Sequence, residues 1–143
     1  MIMTTDTKSV ERRCVGGCVR KLSRMVTAIY DGALANAGLK TSQFTVLVAV
    51  ANREKTKPPE LINLLQMGES TLSRNVERMR ARGWLRLKTG DVPRSHSIEF
   101  TDKGKALLRK CLPAWQQAQE EVTRRLGTES VAALRSALRR LPV

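Results

Sequence analysis

Residues 69–82 read Glu-Ser-Thr-Leu-Ser-Arg-Asn-Val-Glu-Arg-Met-Arg-Ala-Arg, which sets Leu72, Val76 and Met79 at the spacing i, i+4, i+7. That spacing draws one apolar stripe along a helix. The rest of the circumference carries Ser70, Thr71, Ser73, Arg74, Asn75 and Arg78. A helix built this way can dock by its stripe and turn its first two turns outward. Short hydrogen-bonding side chains with arginines beside them suit a DNA major groove. An ordinary solvated helix shows the same pattern, so the flanking segments have to decide.

Upstream, Val19, Leu22, Val26, Ile29 and Ala33 keep a helical spacing and predict a helix from about Ser9 to Ala37, closed by Gly38. Gly16-Gly17 weakens its first turns by roughly 2 kcal/mol relative to alanines and predicts a late start or a bend. Thr41 is the expected cap of a second helix running to about Arg53. It is apolar on most faces and therefore the expected centre of the core. A charged loop, residues 54–57, leads to Pro58 and Pro59, which suit the first turn of a short helix carrying Leu61, Leu64 and Leu65. Gln66-Met67-Gly68 is a turn into the helix of residues 69–82, which Gly83 ends.

After Gly83 the period changes. Residues 84–88 and 97–100 are strand-like, joined by a turn-rich, basic tip over residues 89–96. Thr101 is the expected cap of a long helix, Asp102 to about Leu126, with a kink expected at Pro113. Gly127 ends it, and Thr128 is the expected cap of a last helix with Val131, Leu134, Leu138 and Leu141 on one face.

Charge points to the partner. Lys and Arg number 26 against 13 acidic residues, a formal net charge of +13, which favours a polyanion. Only five aromatics occur, Tyr30, Phe44, Trp84, Phe100 and Trp115, too few for the stacking platforms that bind single strands or RNA. Double-stranded DNA is the expected partner. No stretch approaches the ~20 apolar residues of a membrane span, and the opening residues do not read as a signal peptide, so no membrane partner and a cytoplasmic location are expected. The chain carries no glycine-rich phosphate loop, no histidine pair and no nucleophile beside a base. Neither an enzyme nor a cofactor is expected, and the lone His96 supports no metal site.

Short helix, tight turn, polar-faced helix and basic hairpin in this order make a winged helix-turn-helix. The fold class expected is mainly α, with a two-stranded β-wing. The helix of residues 69–82 would read the groove through Ser70, Thr71, Ser73, Arg74, Asn75 and Arg78, with Lys88, Arg86 and His96 of the wing adding phosphate contacts. Gln43-Phe44, Ser70-Thr71-Leu72-Ser73-Arg74, Gly83, and Arg94 through Ile98-Glu99-Phe100-Thr101-Asp102-Lys103-Gly104 together resemble the MarR regulators, over about residues 10–140. The resemblance implies a dimeric winged-helix repressor or activator. Residues 1–38 would form an N-terminal arm and first dimerisation helix, residues 39–101 the DNA-binding region, and residues 102–143 the C-terminal dimerisation helices. It also implies a wing-tip contact from Arg94 and a small-molecule effector bound between the dimer layer and the winged helix. Two departures stand out. Val92 occupies the position where the family's wing usually has Asp, and Glu69 opens the recognition helix where relatives often have a basic residue.

Three cysteines remain, Cys14, Cys18 and Cys111. An odd number without a secretion signal argues against a disulfide framework. Cys14 and Cys18 sit at i, i+4, and three readings compete: packing residues, redox-active thiols activated by Arg12, Arg13, Arg20 and Lys21, or soft-metal ligands completed by Cys111 or by a second chain. The family contains peroxide sensors with an N-terminal cysteine, whose position falls near Gly16 when Ser23-Arg24 and Tyr30 are aligned. The expectation is a sequence-specific, dimeric transcriptional repressor relieved by a small ligand, by cysteine oxidation or by metal. The alternative is a basic architectural DNA-binding protein without sequence choice.

Overall fold

The computed structural model describes residues 6–53, 55–92 and 95–141. Asp6 opens the described chain by accepting the Lys8 amide at the start of α1 (Thr7–Arg13). The backbone turns extended at Cys14, and α2 (Val15–Leu34) follows. The expected single helix over residues 9–37 is therefore two, and the break falls at Cys14 rather than at Gly16-Gly17, which lie inside the first turn of α2. That turn has free amides, and the Cys14 thiol takes one of them, accepting from Gly17 N at 3.3 Å. A single 3-10 turn over Ala35–Ala37 closes on Gly38 at φ 69°, whose amide donates to Ala35 O.

α3 (Thr41–Ala51) starts one residue earlier than a Thr41 cap would place it. Lys40 is the flanking residue, its amide donating to Gln43 Oε1 at 3.1 Å. Thr41 is spent elsewhere: its amide and hydroxyl both donate to Asp31 Oδ1, at 2.7 and 2.6 Å, and tie α3 to α2. The helix is the centre of the core, with Phe44, Val46, Leu47, Ala49 and Val50 buried. α4 (Pro58–Leu65) begins at the tandem prolines, with Glu60 accepting the Lys57 amide at 3.1 Å. Gln66, at φ 49°, makes the turn into α5 (Glu69–Ala81), and Gly83, at φ 75°, ends it.

β1 (Leu85–Thr89) and β2 (His96–Phe100) pair antiparallel, with Leu85 opposite Phe100 and Thr89 opposite His96. The loop before α4 adds one pairing on the open edge of β2: Ile98 N donates to Thr56 O at 2.8 Å, an isolated bridge. Thr101 then joins the wing to the helices. Its hydroxyl donates to the carbonyls of Gly83 and Trp84 and accepts from Gly104 N, which starts α6 (Asp102–Leu126). α6 continues as helix through Pro113. The cap of α7 (Thr128–Arg140) is Gly127, at φ 83°, and not Thr128, which is already helical.

Two regions result. α3, α4, α5 and the wing close around Leu47, Leu61, Met79 and Ile98, all fully buried. α2 and α6 lie along each other, joined by Tyr30 Oη donating to Gln119 Oε1 at 2.5 Å. Trp115 of α6 stacks on Phe44 of α3 with ring centroids 6.3 Å apart and couples the two regions. α7 packs on α6 but buries no residue. The architecture is the expected one, mainly helical with a two-stranded wing.

Candidate nucleic-acid interface

α5 docks on the core through Leu72, Asn75, Val76 and Met79. Ser70, Thr71, Ser73, Arg74 and Arg78, all expected to face DNA, are exposed. Asn75 is the correction. It is only 6 % exposed, turned toward the α4–α5 turn with Nδ2 3.9 Å from Met67 Sδ. The reason is angular: Asn75 lies one residue from Val76 and three from Leu72, on the flank of the apolar stripe, so docking the stripe buries it. It packs against the turn, apart from the exposed side chains of α5.

The outward surface of α5 forms two parallel rows at i, i+4 spacing. Ser70, Arg74 and Arg78 make one. Glu69, Ser73 and Glu77 make the other and line the groove between α4, α5 and the wing. Glu77 is paired with Arg80 at 3.2 Å. Arg82 leaves the reading face at the helix end, its guanidinium 4.9 Å over the Trp84 ring and donating to Gly38 O at 3.2 Å.

On the wing, Arg86 and Lys88 are exposed on the outer face of β1, and His96 is exposed near its end. Across the strand pair, Glu99 sits opposite Arg86. Its Oε2 accepts from Arg86 Nε at 2.8 Å, and its Oε1 lies 3.9 Å from Lys88 Nζ. The Arg86 hydrogen bond, joined by the charges of Arg86, Lys88 and Lys55, holds the Glu99 carboxyl below its ordinary range against the opposing effect of burial. Sequence inspection passed over Glu99, although the alternation of β2 already put it on the face away from Ile98. Arg94, the expected wing-tip contact, lies outside the described residues.

A cavity of about 590 Å³ opens between α2, α3, α4 and α6. Phe44, Trp115, Val48 and Leu65 supply apolar walls, and Tyr30 and Arg53 supply polar groups. Burial pushes the Tyr30 phenol above its ordinary range, partly countered by Arg135.

Cys14 and Cys18 are both exposed, and Cys18 N donates to Cys14 O at 3.0 Å, so the two thiols bracket the first turn of α2. Cys111 is buried in the core, 2 % exposed, and burial pushes its thiol pKa up. It is no accessible third thiol, because α6 turns it inward with the residues that pack on α3. Among the described residues, no group of three or more His, Cys, Asp or Glu side chains is placed to hold a metal ion, and no helix is long and apolar enough to cross a membrane.

A brace helix, a reading helix with a polar outer face and a basic wing define a winged helix-turn-helix DNA-binding protein. Residues 37–94 match the model of the MarR family. The transcriptional repressor NicR of Pseudomonas putida is 31% identical over 107 residues, 74% of this chain and 68% of that protein. The regulator PecS of Dickeya dadantii is 26% identical over 137 residues, covering 92% and 82%. Among solved structures, the M. tuberculosis transcriptional regulator MosR is 31% identical at a TM-score of 0.77, over 92% of this chain and 99% of that one. A mutant E. coli MarR complexed with operator DNA shares the fold at a TM-score of 0.80 and 22% identity, over 92% and 95%. The chain belongs to the MarR family of DNA-binding transcriptional regulators. The family and these relatives are regulators of transcription, not enzymes.

Proposed function

We propose that the protein is a homodimeric, cytoplasmic repressor that binds a pseudo-palindromic duplex and is released by a small effector. The observation that supports this best is the division of α5. Leu72, Val76 and Met79 are buried while Ser70, Thr71, Ser73, Arg74 and Arg78 stand free on one outward surface. In this reading those five enter the major groove, Lys88 and Arg86 meet phosphates, and Arg94 reaches from the wing tip.

Dimerisation accounts for apolar surface that one chain leaves open. Val10, Val15, Val19 and Met25 on α1 and α2, and Leu134, Leu138 and Leu141 at α7, are exposed. A second copy covering them would set two reading helices ~34 Å apart, one turn of DNA. It would also double a formal charge of +13, giving a steep salt dependence. The effector would occupy the cavity between α2, α3, α4 and α6, where a ligand bears on both the dimer layer and the reading unit. A second input is the exposed Cys14–Cys18 pair, because Cys14 caps the helix that carries the dimer surface.

Footprinting on the DNA flanking its own gene, with sedimentation of the complex, tests the reading. A symmetric footprint holding two chains is expected. Equal affinity for random and flanking DNA would instead establish the architectural alternative, and binding by a monomer would overturn the dimer.

A further inference from the structure

One exposed carboxylate stands at the N-terminal end of α5, beside the residues proposed above to meet DNA. Glu69 is the first residue of α5, preceded by Gly68, which offers no side-chain cap. It is exposed and in no ion pair among the described residues. It begins the row Glu69, Ser73, Glu77, which faces a groove of about 270 Å³ whose other walls include Pro58, Pro59 and His96. Glu77, the other acid of the row, is held by Arg80. The neighbouring row, Ser70, Arg74 and Arg78, is rich in donors. The reading surface is thus split lengthwise into an accepting edge toward the wing and a donating edge away from it.

A carboxylate is acceptor-only, and a DNA groove is flanked by phosphates that repel it. It is tolerated there where it accepts a hydrogen bond from a base. In the major groove only cytosine N4 and adenine N6 donate, while guanine and thymine present acceptors and a methyl group. Adenine places its N7 acceptor beside N6, against the second carboxylate oxygen, whereas the cytosine edge offers its amino group alone. We propose that Glu69 is a specificity-determining residue that selects cytosine at one position in each half-site, and that it works mainly by rejecting bases with no amino group there. This rests on the docking of α5 proposed above.

Glu69 also suits the positive end of the helix macrodipole, so a purely structural role has to be separated from reading. Binding to a duplex library randomised across each half-site separates them. Wild type is expected to favour cytosine at one symmetric position by about ten-fold, within the usual cost of a mismatched pair. Glu69→Ala is expected to lose that preference and to bind random duplex more tightly, since a repelled charge is gone. Glu69→Gln keeps the side-chain size and is expected to move the preference to adenine, whose N6 and N7 a glutamine amide matches. A helix-stabilising role would leave the base preference in place in both variants, and that result would overturn the proposal. If wild type shows no sequence preference at all, the regulator reading itself fails, and with it the role of Glu69.

Discussion

Arg86 and Glu99 face each other across the wing, Nε to Oε2 at 2.8 Å, in the strand register that pairs them directly. Cross-strand charge pairs stabilise a two-stranded sheet modestly. Here the carboxylate also meets Lys88 from β1 and Lys55 from the preceding loop, with Arg53 and Lys105 lining the same cleft. Because folding lowers the Glu99 pKa, its contribution is complete above the ordinary carboxylate range. It is lost as pH falls through the lowered folded value. Thermal melts of wild type and Glu99→Gln should therefore differ near neutrality and converge as pH falls below the lowered folded value. A gap that stays constant past that value would mean the pair does not carry the charge-dependent stability.

Gly104, in the first turn of α6, is pressed closely against the backbone at Trp84, where the wing begins. A Cβ there would collide with the Trp84 carbonyl oxygen and press on the Phe100 ring. The carbonyl belongs to the turn that Thr101 holds by two hydrogen bonds, so it cannot move without loosening the wing. Gly104→Ala is expected to destabilise by about 1–3 kcal/mol, the usual cost of overpacking. Denaturant unfolding measures it, and an unchanged midpoint would show that the α6 start shifts freely.

Arg74 and Asn75 are adjacent in sequence but should fail differently. Arg74→Ala removes an exposed side chain of the donating row and should cost operator binding ~1–3 kcal/mol with folding intact. Asn75→Ala removes a buried amide beside Met67 and should lower stability by about 1 kcal/mol with base preference retained. Parallel melts and binding isotherms decide, and the reverse pattern would mean that α5 docks on DNA by its other flank.

Lys88→Ala and Arg94→Ala are expected to weaken operator and random DNA alike and to shallow the salt slope by about 1 each. A loss confined to the operator would make them base readers instead.

Peroxide or a thiophilic metal is expected to weaken operator binding, reversibly, in wild type and not in a Cys14→Ser, Cys18→Ser double variant. Cys14→Ser retains an oxygen able to cap α2, so the variant should fold and bind DNA normally. Cys111→Ser should leave the response unchanged, because the thiol is buried in the core. A response that persists in the double variant would make the two exposed cysteines bystanders.

Local periodicity was enough for most of the fold. The stripe of Leu72, Val76 and Met79, the tandem prolines at the start of α4 and the alternation around Ile98 are signals carried within a few residues, and these three elements formed near their expected bounds. The stopping glycines Gly38 and Gly83 were equally legible, since a positive φ is a property of the residue itself. What the sequence could not decide was which partner each polar group would find. Thr41 and Thr128 look like caps, yet Thr41 is drawn to Asp31, ten residues away on α2, and the cap before Thr128 is Gly127. Asn75 belongs to the polar set of α5 by type and to the buried set by angle, and only the packing of α5 against the turn at Met67 settles it. Thr56 pairs with Ile98, and Glu99 with Arg86, across separations that no local pattern encodes. Burial removes water as the default hydrogen-bond partner, so the choice passes to whatever tertiary packing brings within about 3 Å.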